Sequence, residues 1–170
     1  MQRVIETKRL LLSEPKLSEV PALFSFLGDK SAMQHTRCDV NFRECRRRIA
    51  VHEWKRRHEG FAPWTVRLKT TEKIIGWGGI YNDPFDPGWG MELGYYFSPA
   101  AWGNGYATEL CFAALQYSDE QLLADEVSAF AHRQNAASNA LLTKLGFEYM
   151  RFVQDMDRNL YSRKRPKIAP

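Results

Sequence analysis

The sequence predicts an α/β domain, an α+β sandwich whose mixed, mostly antiparallel central sheet of six to seven strands carries helices on both faces. Three observations lead there. Two helical stripes follow a first strand, three consecutive strand patterns occupy the middle, and the last third alternates helix, strand, helix, strand.

Lys8 to Ser13 reads as the first strand. Ser18 offers an N-cap, and Leu17, Val20, Leu23, Phe24 and Leu27 follow at helical spacing until Gly28. Asn41 followed by Glu44 resembles a capping box. Phe42, Cys45 and Ile49 then mark the apolar stripe of a second helix running toward Gly60. Trp64 to Leu68 alternates, Lys69 to Lys73 is a polar turn, and Ile74 to Tyr81 is the return arm of a hairpin. Asn82 to Gly90, with Pro84, Pro87 and two glycines, is a loop, and Met91 to Phe97 is the next strand. Past Pro99 a glycine-containing turn opens into an amphipathic helix, roughly Ala107 to Tyr117. Val127 to Ala131 is a short strand, and Asn135 to Leu145 a helix stopped by Gly146. Phe147 to Phe152 and Leu160 to Arg163 complete the sheet.

The 170 residues, 44% hydrophobic and 13% aromatic, suit one domain with a substantial core, read as 1–170, and exclude a disordered chain. Three cysteines, Cys38, Cys45 and Cys111, show no C-x-x-C spacing and leave an odd thiol under any pairing, which fits a reducing compartment. The opening MQRVIETKRLLLSEPK has no signal-like apolar stretch, and no run reaches transmembrane length. A cytoplasmic protein without a membrane partner is expected. The net charge is a mild +4, but Arg43, Arg46, Arg47, Arg48, Lys55, Arg56 and Arg57 crowd one segment. A polyanionic partner is permitted: nucleic acid, a ribosomal surface or a phosphate-rich cofactor. The plainer reading is a solvated helix face.

Met91 to Leu110, MELGYYFSPAAWGNGYATEL, is the most informative segment. A strand feeds a short glycine loop that opens directly into a helix, whose N-terminus has unpaired N–H groups and a positive dipole end. The amides of Gly103, Asn104, Gly105, Tyr106, Ala107 and Thr108 can cradle a pyrophosphate, with the Thr108 hydroxyl as an added donor. Alone, the segment reads equally well as a tight strand-to-helix turn. It is not a nucleotide P-loop, because no Lys follows, nor a dinucleotide fingerprint, because Thr108 stands where the third glycine belongs. In the second segment, NAASNALLTKLGF, Asn135 caps a helix, a role worth about 1 kcal/mol by itself. Ser138 lies one turn in, and Leu141, Leu142 and Leu145 read as core.

Taken together, strand-G-x-G-helix followed by N-x-x-S-x-x-L-x-x-K-L-G-F resembles the GNAT superfamily of acyl-CoA-dependent N-acyltransferases. The nearest branch is the RimJ/RimL-like one, whose named members acetylate ribosomal-protein N-termini. Glu6-Thr7-Lys8-Arg9-Leu10 is similar to that branch's first strand, Glu92-Leu93-Gly94-Tyr95 to its central strand, and Trp102 to Glu109 to its pyrophosphate loop. Trp102 stands where the superfamily often has Gln or Arg.

The resemblance implies acetyl-CoA as acyl donor and no metal. Met91–Phe97 and Val127–Ala131 would be parallel neighbours splayed at their C-terminal ends, with the pantetheine arm in the gap. Main-chain groups of Tyr96, Phe97 and Ser98, with Asn135 and Ser138, would bond that arm, and Gly103 to Thr108 would hold the pyrophosphate. The implied chemistry is direct attack of a neutral amine on the thioester, which needs a base, oxyanion donors and a proton for the thiolate. Glu92 is the candidate base, with Asp83 and Asp86 in reserve. Ser138 is the candidate acid, because the position where many members carry Tyr is Leu142. A thiol pKa near ~8.5 makes that acid dispensable in part.

The acceptor stays open between a protein N-terminus and a small-molecule amine, and a homodimer stays open too. The alternative is a catalytically silent acyl-CoA-binding module. Zinc is disfavoured because His52 and His58, six residues apart, fall on different helix faces, unlike H-E-x-x-H. Nucleic acid is not expected, since no helix-turn-helix, RNP or zinc signature accompanies the arginines. A G-x-S-x-G nucleophile turn is absent. Gly76, Gly78 and Gly79 allow either close ligand approach or close packing beneath Trp77. Trp89 is a candidate wall of an acceptor pocket.

Overall fold

The computed structural model describes residues 4–167, so the domain limits of 1–170 extend past it at both ends. Its strands are β1 (Ile5–Glu6), β2 (Leu10–Ser13), β3 (Trp64–Leu68), β4 (Ile74–Tyr81), β5 (Glu92–Phe97), β6 (Glu126–His132), β7 (Glu148–Val153) and β8 (Arg158–Lys164). The helices are α1 (Val20–Leu27), α2 (Phe42–Glu59), α3 (Tyr106–Tyr117) and α4 (Ala136–Lys144). The eight strands form one sheet in the order β1-β2-β3-β4-β5-β6-β8-β7. All neighbours are antiparallel except β5 and β6. The mixed, mostly antiparallel class agrees with expectation, with eight strands in place of six to seven.

The eighth strand comes from the N-terminus. Glu6 to Leu10 is not one strand: Thr7, Lys8 and Arg9 turn the chain so that β1 and β2 pair as a hairpin. The cause is tertiary, because Glu109 on α3 accepts from the Thr7 hydroxyl and the Arg9 amide, both at 2.6 Å.

A second correction concerns Ser18, which lies inside a 3-10 turn (Leu17–Glu19) and caps nothing. The residue before α1 is Glu19, whose carboxylate turns inward to Thr65 at 2.9 Å and to Arg67. Before α2, Asn41 Oδ1 accepts from the Glu44 amide at 2.9 Å, as a cap should. The returning Glu44 carboxylate takes the amide of Val40, one residue earlier than a capping box requires. Gly60 ends α2 in the left-handed region, φ +89°.

Each face of the sheet has its own core. Val20, Leu23, Phe26 and Leu27 of α1 pack with Cys45 and Ile49 of α2 against Trp77. Leu110, Cys111 and Ala114 of α3 and Leu142 of α4 pack with Leu93, Phe97, Val127 and Ala129 on the other face. The β4 glycines serve this second packing. A Cβ at Gly76 would lie 2.7 Å from the Phe97 ring, and one at Gly78 2.5 Å from the Gly94 carbonyl. Both positions are filled by protein, not held open for a ligand.

α2 is not a solvated basic face throughout. Arg48 and His52 are each 4% exposed, and Arg56 bonds Glu53 and the carbonyls of Ala62 and Pro63. Among the described residues no helix is long and apolar enough to cross a membrane. The three cysteines are free thiols.

Candidate active site

β5 and β6 share a single residue pair, Glu92 with Ser128, reinforced by the Ser128 amide donating to the Met91 carbonyl at 2.8 Å. Beyond that rung the strands part toward their C-terminal ends. A cleft of about 550 Å³ opens there and continues past the sheet from α4 to α2. Its wall includes Glu92 through Phe97, Gly103, Gly105, Tyr106, Ala107, Asn135 and Ser138. Ser98, Asn104 and Thr108 are not part of that wall.

Strand geometry decides which main-chain groups reach the gap. The Ser98 amide donates to the Ile75 carbonyl at 2.9 Å. In an antiparallel ladder such pairs recur at every second residue, so Tyr96 and Ser98 direct their main chain to β4. Tyr95 and Phe97 direct theirs to the gap, where the Phe97 carbonyl accepts from Trp102 Nε1 at 3.2 Å. Of the three expected main-chain partners, Phe97 directs its main chain to the gap, as Tyr95 does, whereas Tyr96 and Ser98 direct theirs to β4.

The loop before α3 is built around two left-handed glycines, Gly103 at φ +75° and Gly105 at φ +77°. Gly105 is the N-cap, and no side chain caps the helix in its place. The Asn104 side chain folds back onto the carbonyls of Ala101 and Trp102 at 3.1 and 3.0 Å. Arg9 braces the loop by donating to the Asn104 carbonyl at 2.9 Å and to Glu109 at 2.7 Å. The result is a pinned turn with uncapped amides facing the cleft, the geometry that suits an anionic group.

Across the gap, Asn135 Oδ1 accepts from the Ser138 amide at 3.1 Å, the expected cap. The Ser138 hydroxyl lies 2.7 Å from that of Tyr95. Burial raises the Tyr95 hydroxyl well above the ordinary tyrosine range. Leu142 is fully buried and takes no part.

Glu92 faces the α1–α2 side and is 5% exposed. Burial, aided by the charges of Asp83 and Asp86 and opposed by Arg158, pushes its carboxyl up to about 8. Its Oε2 has no hydrogen-bond partner. Asp83 and Asp86 shape their own loop: Asp83 accepts from the Phe85 amide at 2.8 Å, and Asp86 from Trp89 Nε1 at 3.2 Å. Trp89 packs edge-on against Phe130 and is not part of the cleft wall.

Sequence reasoning missed Arg48 and His52, which line the cleft from α2. Burial, with Arg48, Arg56 and Arg37 nearby, depresses the His52 imidazole to about 3, so it is neutral. The available signal was spacing: Arg48 and His52 follow Cys45 by one and two helical turns on its apolar stripe.

A model of the acetyltransferase (GNAT) domain family matches residues 9–148. The chain belongs to the GNAT acetyltransferase family. It is an acyl-CoA-dependent acetyltransferase. Among similar proteins, YkkB of Bacillus subtilis (strain 168), for which no activity is stated, is 30% identical over 91% of this chain and 83% of its own length. YoaA of the same organism, described as an N-acetyltransferase, is 25% identical over 96% of this chain and 98% of its own.

Solved structures share the GNAT fold at lower identity. An acetyltransferase from Agrobacterium tumefaciens str. C58 superposes with a TM-score of 0.81 at 21% identity, covering 95% of this chain and 94% of that one. RimL, a ribosomal L7/L12 alpha-N-protein acetyltransferase solved with coenzyme A, gives 0.77 at 17%, covering 95% and 98%. The microcin C7 self-immunity acetyltransferase MccE, solved with acetyl-CoA and AMP, gives 0.74 at 16%, covering 93% of each chain. Within this GNAT domain no group of three His, Cys, Asp or Glu residues among those described is placed to hold a metal ion.

Proposed function

We propose that this enzyme transfers the acetyl group of acetyl-CoA to a primary amine by direct attack on the thioester. The observation that carries the reading is the single cleft: uncapped α3 amides at one end, an open strand edge in the middle, and buried Glu92 at the other. The residues fit the donor. Gly103 to Ala107 offer main-chain N–H groups to the diphosphate, and the β5 edge at Tyr95 and Phe97, with Asn135, borders the pantetheine arm.

Glu92, as a carboxylate, takes the proton that leaves the attacking amine. The N–C bond forms as the C–S bond breaks. Main-chain N–H groups on the open β5 edge are the donors for the developing oxyanion. The Ser138–Tyr95 pair returns a proton to the departing thiolate. The acceptor class spans protein N-termini and small amines, with cytoplasmic amines the natural pool for a protein with three free thiols.

A thiol-release screen of amines and short peptides with acetyl-CoA tests the proposal. Release above background hydrolysis with at least one amine, and a matching acetylated product by mass spectrometry, is expected. A folded, CoA-binding protein that releases no thiol with any acceptor overturns it in favour of a silent acyl-CoA-binding module.

A further inference from the structure

Buried polar atoms without partners cluster at one end of the cleft. Eight such side-chain atoms occur among the described residues, and five of them belong to Arg48 (Nε and Nη2), His52 (Nδ1), Trp77 (Nε1) and Glu92 (Oε2). All four residues line the cleft, and each is 5% exposed or less. An unpaired buried polar atom is costly, and five in one pocket mark a place where a ligand supplies the missing partners.

Their chemistry is divided. Arg48 uses one nitrogen, Nη1, on Asp39 Oδ1 at 3.3 Å, and its guanidinium lies 4.8 Å from the centre of the Trp77 ring and 5.4 Å from that of Tyr96. Nε and Nη2 are left as a fork of fixed geometry, which matches the two oxygens of a carboxylate or phosphate. The Trp77 indole adds a third donor. Arg37, also on the cleft wall, adds a second cation near Asp39. Facing these donors are the Glu92 oxygen, an acceptor, and His52 Nδ1, which donates or accepts according to its tautomer. The unpaired Asp39 Oδ2 lies behind Arg48, outside the cleft wall. A ligand complementary to this set presents an anion to Arg48 and an amine to Glu92.

We infer that the acceptor is a small amine that also carries an acidic group, a carboxylate or a phosphate, and that the Arg48 fork holds that group while Glu92 faces the amine. The inference rests on the acetyl-transfer reading above and names its substrate class. The donor's diphosphate is not the anion concerned, since it belongs to the α3 amides on the other side of the sheet. Arg48, Trp77 and Glu92 are each 5% exposed or less, a depth that suits a small molecule better than the terminus of a folded protein. Asp39, fully enclosed behind Arg48, keeps the guanidinium in place and leaves its fork free.

The test uses acceptors in matched pairs with and without the acid: phenylalanine against phenethylamine, and serine or O-phosphoethanolamine against ethanolamine. The wild type should favour the acidic member of a pair in kcat/KM by tenfold or more. Arg48→Lys keeps a cation beside Asp39 and removes the fork; in this variant the acid-to-neutral ratio should collapse, chiefly through KM. Arg37→Gln, at a partly exposed position paired with Glu44 and Asp39, should lower the ratio less in a variant whose melting temperature shows it folded. A purely structural Arg48 would change thermal stability and leave the ratio untouched, which overturns the inference. Equal use of acidic and neutral amines overturns it while leaving acetyl transfer standing, as does use of short peptides alone. If no acceptor is turned over, calorimetric titration of the same pairs into the CoA-loaded protein decides: no preference for the acidic members overturns the inference independently of catalysis.

Discussion

The hydroxyls of Tyr95 on β5 and Ser138 on α4 stand 2.7 Å apart, joining a strand edge to the helix that faces it across the gap. In the proposed reaction a pair this close acts as one proton source. Ser138→Ala and Tyr95→Phe should each lower kcat by about tenfold, less than the usual effect of removing a general acid, because a thiolate is a tolerable leaving group. The double variant should be little worse than either single one. Losses that multiply would separate the two hydroxyls into independent roles.

Replacing Glu92 should cost more. Glu92→Gln is expected to lower turnover by about a hundredfold or more with CoA affinity, measured by calorimetry, unaltered. The carboxyl is held up to about 8, so wild-type turnover should climb as the pH rises toward that value. The variant should lack that limb. Turnover at the wild-type rate in Glu92→Gln would pass the role to Asp83, which also borders the cleft.

The same shift has a thermodynamic sign. Unfolding returns Glu92 from about 8 to its ordinary 4.5, so the native state holds the proton more tightly between those values. Its contribution is complete below pH 4.5 and is lost as the pH rises to 8, by an amount on the order of 4 kcal/mol. His52 acts in the opposite direction: its stabilisation is complete above 6.5 and is lost as the pH falls toward 3. Urea unfolding at pH 5 and 8.5 should show wild type losing more stability than Glu92→Gln over that interval. Parallel losses would mean that Glu92 is ionised at pH 5 in the native state.

Gly105 sits at φ +77°, where a β-branched residue is strained, and a Cβ there would lie 3.5 Å from Arg9 Nη2. Gly105→Val should cost about 2 kcal/mol of stability. It should also weaken CoA binding by tenfold or more in a calorimetric titration, because the helix entry must shift. Unaltered affinity in the folded variant would move the diphosphate away from this loop.

Local chemistry carried most of the fold from the sequence. Asn41, Gly60, Asn135 and Gly146 mark helix ends by mechanisms confined to a few residues. Ser18 failed because the competing partner is remote: Glu19 is drawn inward by Thr65 and Arg67, from a strand more than forty positions away. The N-terminal hairpin failed for the same reason, its turn being set by Glu109 on α3. In the site, the glycine loop and Ser138 were legible as motifs. The direction in which the Tyr96 and Ser98 main chain points was not legible, because it alternates with a register that only the β4 pairing fixes. Arg48 and His52 were hidden among neighbouring basic residues of α2, where composition suggested solvent and only helical phase separates the inward pair.

The lone rung between Glu92 and Ser128 makes the sheet two plates, one of five strands and one of three, riveted at a single point. Side chains of α3 and α4 pack against both plates, on Leu93 and Phe97 of one and on Val127 and Ala129 of the other. A linear molecule laid in the slot, touching the β5 edge on one side and α4 on the other, acts as a second fastening. On the proposed reading the pantetheine arm is that molecule, and it would join the β5 edge to α4 beside the point where Tyr95 and Ser138 already meet.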